Sequence, residues 1–516
     1  MKPGVGETYR AQRTQILNLP PQQDDAILTL SVSSSKSMKN FHYLLSILFL
    51  SSVLLPGAER SQSFDTDPRW DGHNNRPAGE PREVVQDFGY SATKTSTATP
   101  GEIGGTITPA GEPAWYAAKL APLTFNDKFS ASGTMVVPVG GGNTLIGFFD
   151  PATAREWRTA NSLVWRINGR GETFHAHFEY MTQKWRAGAG VIGRHDQVKD
   201  RMHPIENPSG DSIYNWSLAY NPSGTDGNGI ITAKLGTHTA ACPVTPELRA
   251  DGALFTHFGI LNVIKSVDGS GKLYIGELVI NGKKQNLSHD PGWEGHNNHA
   301  KYKTIHVRPW FDVGWSDSNH ADGTRPGEIG GHFYRGDCRD ASRLGYYGAR
   351  LGTLTLDRPL RARGRISFHR GVSDSTTLIG FFHHERSIRV NQSQNNGTPE
   401  NFLGFALEGP SSEGFFVYPV CRPHSGDTSV GFDRTCPRIY PDDSSHEWTL
   451  EYDPAGAGGQ GTLVVSLDGQ SKTLELIEGT QTTGAKFDRF GFVSTWIDGN
   501  GQTIYLDNLA YTTSQD

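Results

Sequence analysis

The sequence predicts an all-β fold made of two tandem β-sandwich domains related by internal duplication. The first observation is a repeat: residues 67–75 (DPRWDGHNN) return as residues 290–298 (DPGWEGHNN). Second, apolar segments are short, rich in β-branched or aromatic residues, and bounded by Gly, Asn and Asp. Third, no stretch combines helical periodicity with capping signals. Together these patterns favour strands and turns throughout.

The repeat continues in register along the chain. The matched segments are PGEIGG at 100–105 and 326–331, TLIGFF at 144–149 and 377–382, and the strands that begin at Trp216 and Trp448. A unit of roughly 220 residues far exceeds the 20 to 50 residues of a solenoid repeat, so each copy should have its own core. We therefore expect a first domain at 64–283 and a second at 286–514.

The N-terminal region predicts export. Residues 38–61 have a positive start, an apolar run over 43–55 and small residues after it, as a signal peptide does. The run is shorter than the about 20 residues of a membrane-spanning helix, although an N-terminal anchor is the alternative. Residues 1–37 lack periodicity and are not expected in the mature protein. No later segment is apolar enough to span a membrane, so a secreted or periplasmic protein is predicted.

Composition excludes some functions. The net charge of −6 gives no sign of nucleic-acid binding, and four cysteines in 516 residues are not a disulfide framework. Cys421 and Cys436 are close enough in sequence to close a local loop, and the sequence leaves open whether they are bonded. The 61 glycines suit many short strands joined by turns.

The predicted strands have the same kind of residue pattern in both copies. Short β-branched or aromatic segments occur at 134–139, 163–167, 174–180, 461–467 and 503–509. Residues 268–271 (DGSG) and 498–501 (DGNG) read as hairpin turns, because positive φ favours Gly, Asn and Asp. An antiparallel sandwich in each copy is the expected result.

Several of these segments carry a resemblance to a known superfamily. Residues 216–220 (WSLAY) and 448–452 (WTLEY) precede Gly-rich hairpins, and the chain closes on 504–509 (IYLDNL). In both copies this pattern resembles the concanavalin A-like (laminin-G-like) jelly-roll superfamily. The resemblance implies a sandwich fold but no single activity, since lectins, glycosidases, lyases and adhesion modules share it. No specific enzyme family matches, and the Glu-x-Asp-x-x-Glu motif of retaining β-glucanases is absent.

Residues shared by both copies are expected to be mainly structural. Glu102 and Glu328 occupy the same position of the PGEIGG repeat. Each could satisfy backbone donors, or could bind a structural calcium ion with hard oxygen ligands, Asp507 of the closing strand being a further candidate.

Residues found in one copy only are better functional candidates. In the segment FHAHFEY (174–180), strand alternation puts His175, His177 and Glu179 on one face and apolar side chains on the other. Arg166 precedes them on the neighbouring strand. The second copy has none of these polar residues, its aligned positions being Phe415, Val417, Pro419 and Ala406.

Three interpretations of this set remain open. The face could be simply solvated. It could be catalytic, with an imidazole transferring a proton and Arg166 neutralising a substrate carboxylate. That chemistry is similar to jelly-roll polysaccharide lyases, which combine His, Arg and Tyr, although Tyr180 faces the core here. Finally, His-x-His with a carboxylate could bind a transition metal.

Aromatic and cationic residues surround this face. Aromatic rings stack on sugars and guanidinium groups hold carboxylate or sulfate, which predicts substrate-binding roles for Arg170, Lys184, Trp185 and Arg186. The second copy has features of its own, HHER at 383–386 and a polar insertion at 389–400, which could cover a groove or bind a partner.

The sequence thus predicts a secreted carbohydrate-active protein that acts on an extracellular, possibly acidic polysaccharide. The activity would be that of a lyase or glycoside hydrolase, with the active groove in the first domain. The alternative is a non-catalytic carbohydrate-binding or adhesion protein with two lectin-like domains, in which tandem copies raise avidity.

Overall fold

A computed structural model describes residues 58–76, 80–138, 142–157, 159–170, 172–185, 187–192, 195–196, 201–202, 205–207, 209–372, 374–390, 392, 397–411, 414–495 and 497–514. The predicted signal peptide lies outside this part of the chain except for residues 58–61, which belong to the first strand. Within the described residues, no helix has the length and apolarity needed to cross a membrane.

The first half of the chain contains nineteen of the described strands. They are β1 Ala58–Gln62, β2 Asp71–His73, β3 Arg82–Ser91, β4 Glu102–Ile107, β5 Trp115–Leu123, β6 Phe129–Val136, β7 Gly142–Phe149, β8 Ser162–Arg170, β9 Thr173–Met181, β10 Ala187–Ile192, β11 His195–Asp196, β12 Arg201–Met202, β13 Ile205–Glu206, β14 Tyr214–Asn221, β15 Gly229–Leu235, β16 His238–Val244, β17 Phe255–Asn262, β18 Gly271–Ile280 and β19 Lys283–Lys284.

The second half continues the series with strands of similar length. They are β20 Glu294–His296, β21 His299–Thr304, β22 Asp312–Ser316, β23 Glu328–Tyr334, β24 Tyr346–Thr355, β25 Leu360–Arg370, β26 Ser375–Phe382, β27 Phe402–Ser411, β28 Gly414–Arg422, β29 Ser429–Val430, β30 Arg438–Ile439, β31 Ser445–Asp453, β32 Thr462–Leu467, β33 Gln470–Glu475, β34 Lys486–Val493 and β35 Gly501–Thr513. Short helices are α1 Pro246–Asp251 and α2 Gly456–Gly459, with 3₁₀ turns at Pro151–Thr153, Thr225–Gly227, Ala341–Arg343 and Thr480–Thr483.

The strands form two antiparallel sheets in each copy. In the first copy, sheet 1 runs β10-β9-β8-β7-β17-β5-β20 and sheet 2 runs β16-β15-β14-β6-β18-β4-β3-β21. In the second copy, sheet 3 runs β29-β28-β27-β26-β34-β24-β2 and sheet 4 runs β33-β32-β31-β25-β35-β23-β22. Corresponding strands occupy corresponding places in the two copies. The prediction of an all-β chain with two tandem antiparallel β-sandwiches related by duplication is therefore confirmed.

Each sandwich has one core between its two sheets, and the two cores repeat the same aromatic pair. Trp216 stacks on Phe258 with ring centroids 6.4 Å apart, and Trp448 stacks on Phe490 at 6.5 Å. All four rings are almost completely buried. Burial of such large apolar surfaces is the main stabilising term for each sandwich.

The repeated opening segment packs on the opposite copy. Strand β20, from the start of the second repeat, pairs with β5 of sheet 1, while β2, from the start of the first repeat, pairs with β24 of sheet 3. The two tryptophans follow the strands: Trp293 stacks on Tyr116 and Trp70 packs on Tyr347, both with centroids 5.7 Å apart. The predicted ranges 64–283 and 286–514 are thus connected by an exchange of their first strands.

Glycines and asparagines of the repeat fit this exchange. Gly101 and Gly327 have φ of 116° and 125°. A Cβ atom on Gly101 would collide with the carbonyl oxygen of Leu287, and one on Gly327 with that of Phe64, each from the other repeat. Only glycine allows so close a backbone approach. Asn297, at a φ of 51°, donates from Nδ2 to a carbonyl oxygen on the opposite copy.

Cys338, Cys421 and Cys436 lie in the described part of the chain as buried free thiols. Cys421 is in the core between sheets 3 and 4, whereas Cys436 belongs to an apolar cluster with side chains from the other face of sheet 3. The bond that their spacing permits is therefore not formed, because the two thiols lie on opposite sides of the sheet.

Candidate functional site

The polar set predicted on one strand face lies on the outer side of sheet 1. Strands β8 and β9 pair so that Arg166 is directly opposite His177, while His175 and Glu179 flank it on the same strand face. The intervening side chains of β9, among them Phe174 and Phe178, are in the core. The strand alternation thus separates a polar face from an apolar one, as strand geometry requires.

The two histidines are the accessible members of the set. Their rings stack with centroids 6.3 Å apart, and both side chains are partly exposed. Arg166 and Glu179 are instead buried and form an ion pair, with Nε 2.9 Å from Oε1. The guanidinium also lies 5.0 Å from the ring centroid of Trp157, a cation–π contact. Arg166 is therefore held rigidly next to His177.

A second cation completes this side of the first copy. Lys265 Nζ lies 5.9 Å from the same Trp157 ring and 2.8 Å from Asp268 Oδ2. Burial lowers the pKa of Lys265, and the nearby cations Arg308 and Arg166 lower it further, while Asp268 opposes the shift. Two cations, Arg166 and Lys265, therefore lie close to one indole ring.

The residues predicted to bind substrate lie in different environments. Lys184 is exposed. Trp185 stacks on Tyr440 of the second copy, with centroids 5.6 Å apart, so its ring is an inter-copy contact. Arg186 and the side chain of Arg170 lie outside the described part of the chain.

A loop of the first copy connects this face to the second copy. Arg155, two residues before Trp157, has Nη1 3.4 Å from the carbonyl oxygen of Pro441 and 3.6 Å from Asp443 Oδ2. Asp443 Oδ1 lies 3.0 Å from His369 Nδ1. The carboxylate thus bridges a cation of one copy and an imidazole of the other.

His369 belongs to a cluster that the sequence interpretation missed. Its ring lies 4.4 Å from that of His320 and 5.1 Å from that of Tyr505, measured between centroids. Burial lowers the pKa of His369, and Asp443 opposes this shift. An imidazole oriented by a carboxylate can act as a general base, but the Nε2 atom is buried beneath its neighbours.

A signal for this region was present in the sequence. Strand β25 carries outward-facing Arg361, Arg363 and Arg365 ahead of His369, whereas the matching positions of β6 are Ser130, Ser132 and Thr134. Carboxylates already neutralise two of the arginines. Arg363 Nη2 lies 2.9 Å from Glu59 Oε1, and Arg365 lies 3.4 Å from both Asp322 and Glu447.

The predicted calcium ligands are surrounded by donors. Glu102 accepts hydrogen bonds from the backbone of Thr95 (2.9 Å) and from the backbone and hydroxyl of Ser96 (both 2.6 Å). Glu328 likewise accepts from the backbone of His320 and Ala321, at 2.9 and 2.8 Å. Such donors stabilise the carboxylate charge without a cation.

Asp507 differs from these two glutamates. Oδ1 accepts the backbone N–H of Asn508 at 2.6 Å, whereas Oδ2 is buried without a hydrogen-bond partner. Burial, with the nearby carboxylates Glu328 and Asp65, raises the pKa of Asp507 to about 6. The carboxylate is therefore destabilised in its charged form.

No protein-family model matches the chain, and no curated protein matches it in sequence. Similar solved structures include domains LG4-5 of the mouse laminin alpha1 chain, at 12% identity and a TM-score of 0.21 over 85% of this chain and 93% of that one. The carbohydrate recognition domain of Emp47p is 10% identical with a TM-score of 0.25, over 39% and 89%. A mutant of alginate lyase Aly36B in complex with alginate trisaccharide is 14% identical with a TM-score of 0.25, over 36% and 82%. None of these similarities assigns an activity, and the fold assignment rests on the strand order described above.

Proposed function

We propose that the chain is an exported carbohydrate-active protein that binds and cleaves an acidic extracellular polysaccharide, as a lyase or glycoside hydrolase, on the outer face of sheet 1. The observation that supports this proposal is the stacked pair of partly exposed imidazoles, His175 and His177, on a face that the core does not use. Imidazole is the side chain whose ordinary pKa lies nearest neutrality, so it can accept or donate a proton at a reacting sugar.

The neighbouring charges give the histidines distinct roles. His177 faces Arg166 across the two strands, so a uronate carboxylate held near His177 would compete with Glu179 for the guanidinium. Partial transfer of this ion pair to the substrate would neutralise the carboxylate and acidify the adjacent C–H bond. His177 is then the base that removes this proton; the electron pair forms the C4–C5 double bond of the uronate, and the C4–O glycosidic bond breaks as its oxygen takes up a proton from water. His175 binds the polymer along the same strand.

A second candidate function is non-catalytic polysaccharide binding. The observation that favours it is the buried Arg166–Glu179 pair, since a guanidinium already neutralised by a carboxylate gains less from a second one. In this case the histidine face binds a sugar polymer without cleaving it.

A turnover screen separates the two functions. The protein is incubated with acidic and neutral polysaccharides, and both unsaturated uronate absorbance and new reducing ends are measured, for the wild type and for His177→Ala. The matched control is His238→Ala, which removes an exposed imidazole on edge strand β16 of the same copy.

The cleavage proposal expects products from the wild type and from His238→Ala, and a loss of at least about a hundredfold in His177→Ala, the usual contribution of one acid–base group. Products that persist unchanged in His177→Ala would overturn the assignment of the site. Retention on one polymer without products, lost in His177→Ala, would establish the binding function instead.

A further inference from the structure

We infer that the second copy contains a binding site for a transition-metal ion of the zinc class, made by His383, His384 and Asp488. The two histidines follow β26 directly, and the aspartate lies on the adjacent strand β34. One ligand atom from each of the three side chains lies within 4.8 Å of the other two. In the described part of the chain, no other group of three or more such residues meets this criterion. The inference does not rest on the proposed function.

The three side chains are already oriented toward one another. His384 Nδ1 lies 2.5 Å from Asp488 Oδ2, and the backbone N–H of His384 donates to Oδ1 at 2.9 Å. The two imidazole rings are nearly parallel, at 8°, with centroids 5.2 Å apart. The turn itself is held by Ser387, whose Oγ accepts the N–H of His383 at 3.0 Å. Such pre-organisation lowers the cost of ordering the ligands when an ion binds.

The donor set selects the class of ion. Two imidazole nitrogens and one carboxylate oxygen, with water in the fourth position, suit tetrahedral Zn²⁺ and also Co²⁺, Ni²⁺ or Cu²⁺. Ca²⁺ and Mg²⁺ prefer all-oxygen sites and are excluded by this chemistry.

The surrounding residues support coordination through Nδ1 of His384. The ion would replace the proton of the hydrogen bond between His384 and Asp488, which is released to water, and these two ligand atoms would separate to more than about 3 Å to accommodate bonds of about 2 Å. Nε2–H of His384 would then point toward Glu385, whose Oε1 lies 3.7 Å away, as the outer partner of a metal-bound imidazole. His383 would give up only two long contacts at Nδ1, of 3.3 and 3.4 Å from backbone N–H groups.

Nearby positive charge is largely neutralised by another residue. Arg489 Nη1 lies 3.4 Å from Asp488 Oδ2, but this guanidinium makes its closest contact with Asp71, at 2.6 Å.

The three proposed metal ligands occur only in the second copy. Matching the TLIGFF repeat and the core phenylalanines places Asp150, Pro151 and Thr256 at the equivalent positions of the first copy, a set without imidazole.

The test is metal binding by the full chain, produced without a histidine tag. Isothermal titration with Zn²⁺ should show one saturable site per chain, and Co²⁺ should give the visible absorption of a tetrahedral complex. The variants His384→Ala and Asp488→Asn should each weaken Zn²⁺ binding by at least about tenfold. Zn²⁺ should also raise the thermal unfolding midpoint of the wild type more than that of His384→Ala, because a ligand stabilises only the state that it binds.

The matched control is His446→Ala. His446 Nδ1 lies 2.6 Å from Asp468 Oδ2, so this exposed pair has the same local chemistry without a second histidine. The control should keep wild-type affinity. His383→Gln provides a further test if Asp488→Asn does not fold. Absence of saturable Zn²⁺ binding by the wild type, or equal affinity in the wild type and His384→Ala, would overturn the site.

Discussion

At the residue scale, the buried Arg166–Glu179 ion pair of the candidate site determines how much the stability of the fold depends on charge at that place. Both side chains are less than a tenth exposed. Removal of one partner leaves the other charge buried and uncompensated, which costs about 3–5 kcal/mol. We therefore expect Glu179→Gln to lower the free energy of unfolding by an amount in this range, measured by denaturant titration.

The control for this prediction is an ion pair at the surface. Arg363 and Glu59 are 2.9 Å apart, but their side chains are 60% and 44% exposed. Water and salt screen such a pair, so Arg363→Ala should cost less than about 1 kcal/mol. Equal effects of the two substitutions would show that the buried pair is not desolvated in solution.

Asp507 gives a residue-scale prediction with a defined pH dependence. Its pKa is about 6 in the fold, against an ordinary value of 3.8, so the folded state holds a proton that the unfolded chain has lost between these values. The free energy of unfolding therefore falls as the pH rises from about 4 to about 6, and the loss persists at neutral pH. Asp507→Asn should stabilise the protein at pH 7 by on the order of 2 kcal/mol and have little effect at pH 4.

Chemical denaturation at the two pH values checks this expectation. Asp453→Asn is a suitable control, since this exposed carboxylate also accepts a backbone N–H, at 2.9 Å from Ala455, and its replacement should change stability by less than about 0.5 kcal/mol. A gain in Asp507→Asn that is the same at both pH values would contradict the assigned cause.

The residue scale also shows what the sequence could and could not predict. The common face of His175, His177 and Glu179 followed from the two-residue period of a strand alone. The pairing of Arg166 with Glu179 did not, because the register of two strands depends on the turn between them. For the same reason, the approach of His369 to Asp443 could not be predicted: these residues are distant in sequence and only the packed loops bring them together.

At the scale of elements, the exchange of opening segments between the two copies could not be predicted from the sequence. The repeated motif is almost the same in both copies, so its apolar pattern fits the edge of either sandwich equally well. The strands β2 and β20 therefore carry no local signal for the sheet on which they pack. By contrast, the duplication, the strand type and both cores could be predicted, because these properties depend on residue pattern within one copy.

A pair of largely buried histidines at strand β23 of the second copy predicts a loss of stability in acid. His306 and His332 lie with ring centroids 5.5 Å apart. Burial, with the nearby Arg370 cation, lowers their pKa values to about 2 and about 3. Glu112 Oε1, at 3.7 Å from His306 Nε2, is too distant to offset the burial. Below the ordinary value near 6.5, the unfolded chain takes up protons that the folded one does not, so the free energy of unfolding falls as the pH decreases.

The size of this effect can be measured by unfolding between pH 7 and pH 5. Each buried histidine should contribute a loss of roughly 2 kcal/mol over this interval. The glutamine in His332→Gln cannot titrate. This variant should therefore lose roughly 2 kcal/mol less of its free energy of unfolding between pH 7 and pH 5 than the wild type does, whatever its stability at pH 7. The exposed His238→Gln should leave the pH dependence unchanged. An identical pH profile for His332→Gln and the wild type would show that His332 is not buried in its neutral form.

At the scale of the whole molecule, the second sandwich is completed by residues from the far end of the chain. Phe64, which is 2% exposed, is part of its core, and Trp70 packs against that core. Strand β1 pairs with β35 so that Ala58 is opposite Thr513. The sandwich is thus closed by strands that enter at opposite ends of the sequence, and the two copies cannot be separated by one cut between them.

This closure predicts that a circular permutant will fold. A chain that runs from 80 to 514, then through a short Gly/Ser linker to 58–76, keeps every strand pair, because residues 58 and 514 are adjacent in sheet 4. Its thermal midpoint should lie within a few degrees of that of the chain in its original order.

The isolated second sandwich, 306–514 linked to 58–76, should unfold cooperatively, whereas 306–514 alone should not, since it lacks β1, β2 and the rings of Phe64 and Trp70. Phe64→Ala in the linked form should cost about 3–5 kcal/mol through the cavity that it leaves. Cooperative unfolding of 306–514 alone, with the stability of the linked form, would show that the exchanged segment does not hold the second sandwich together.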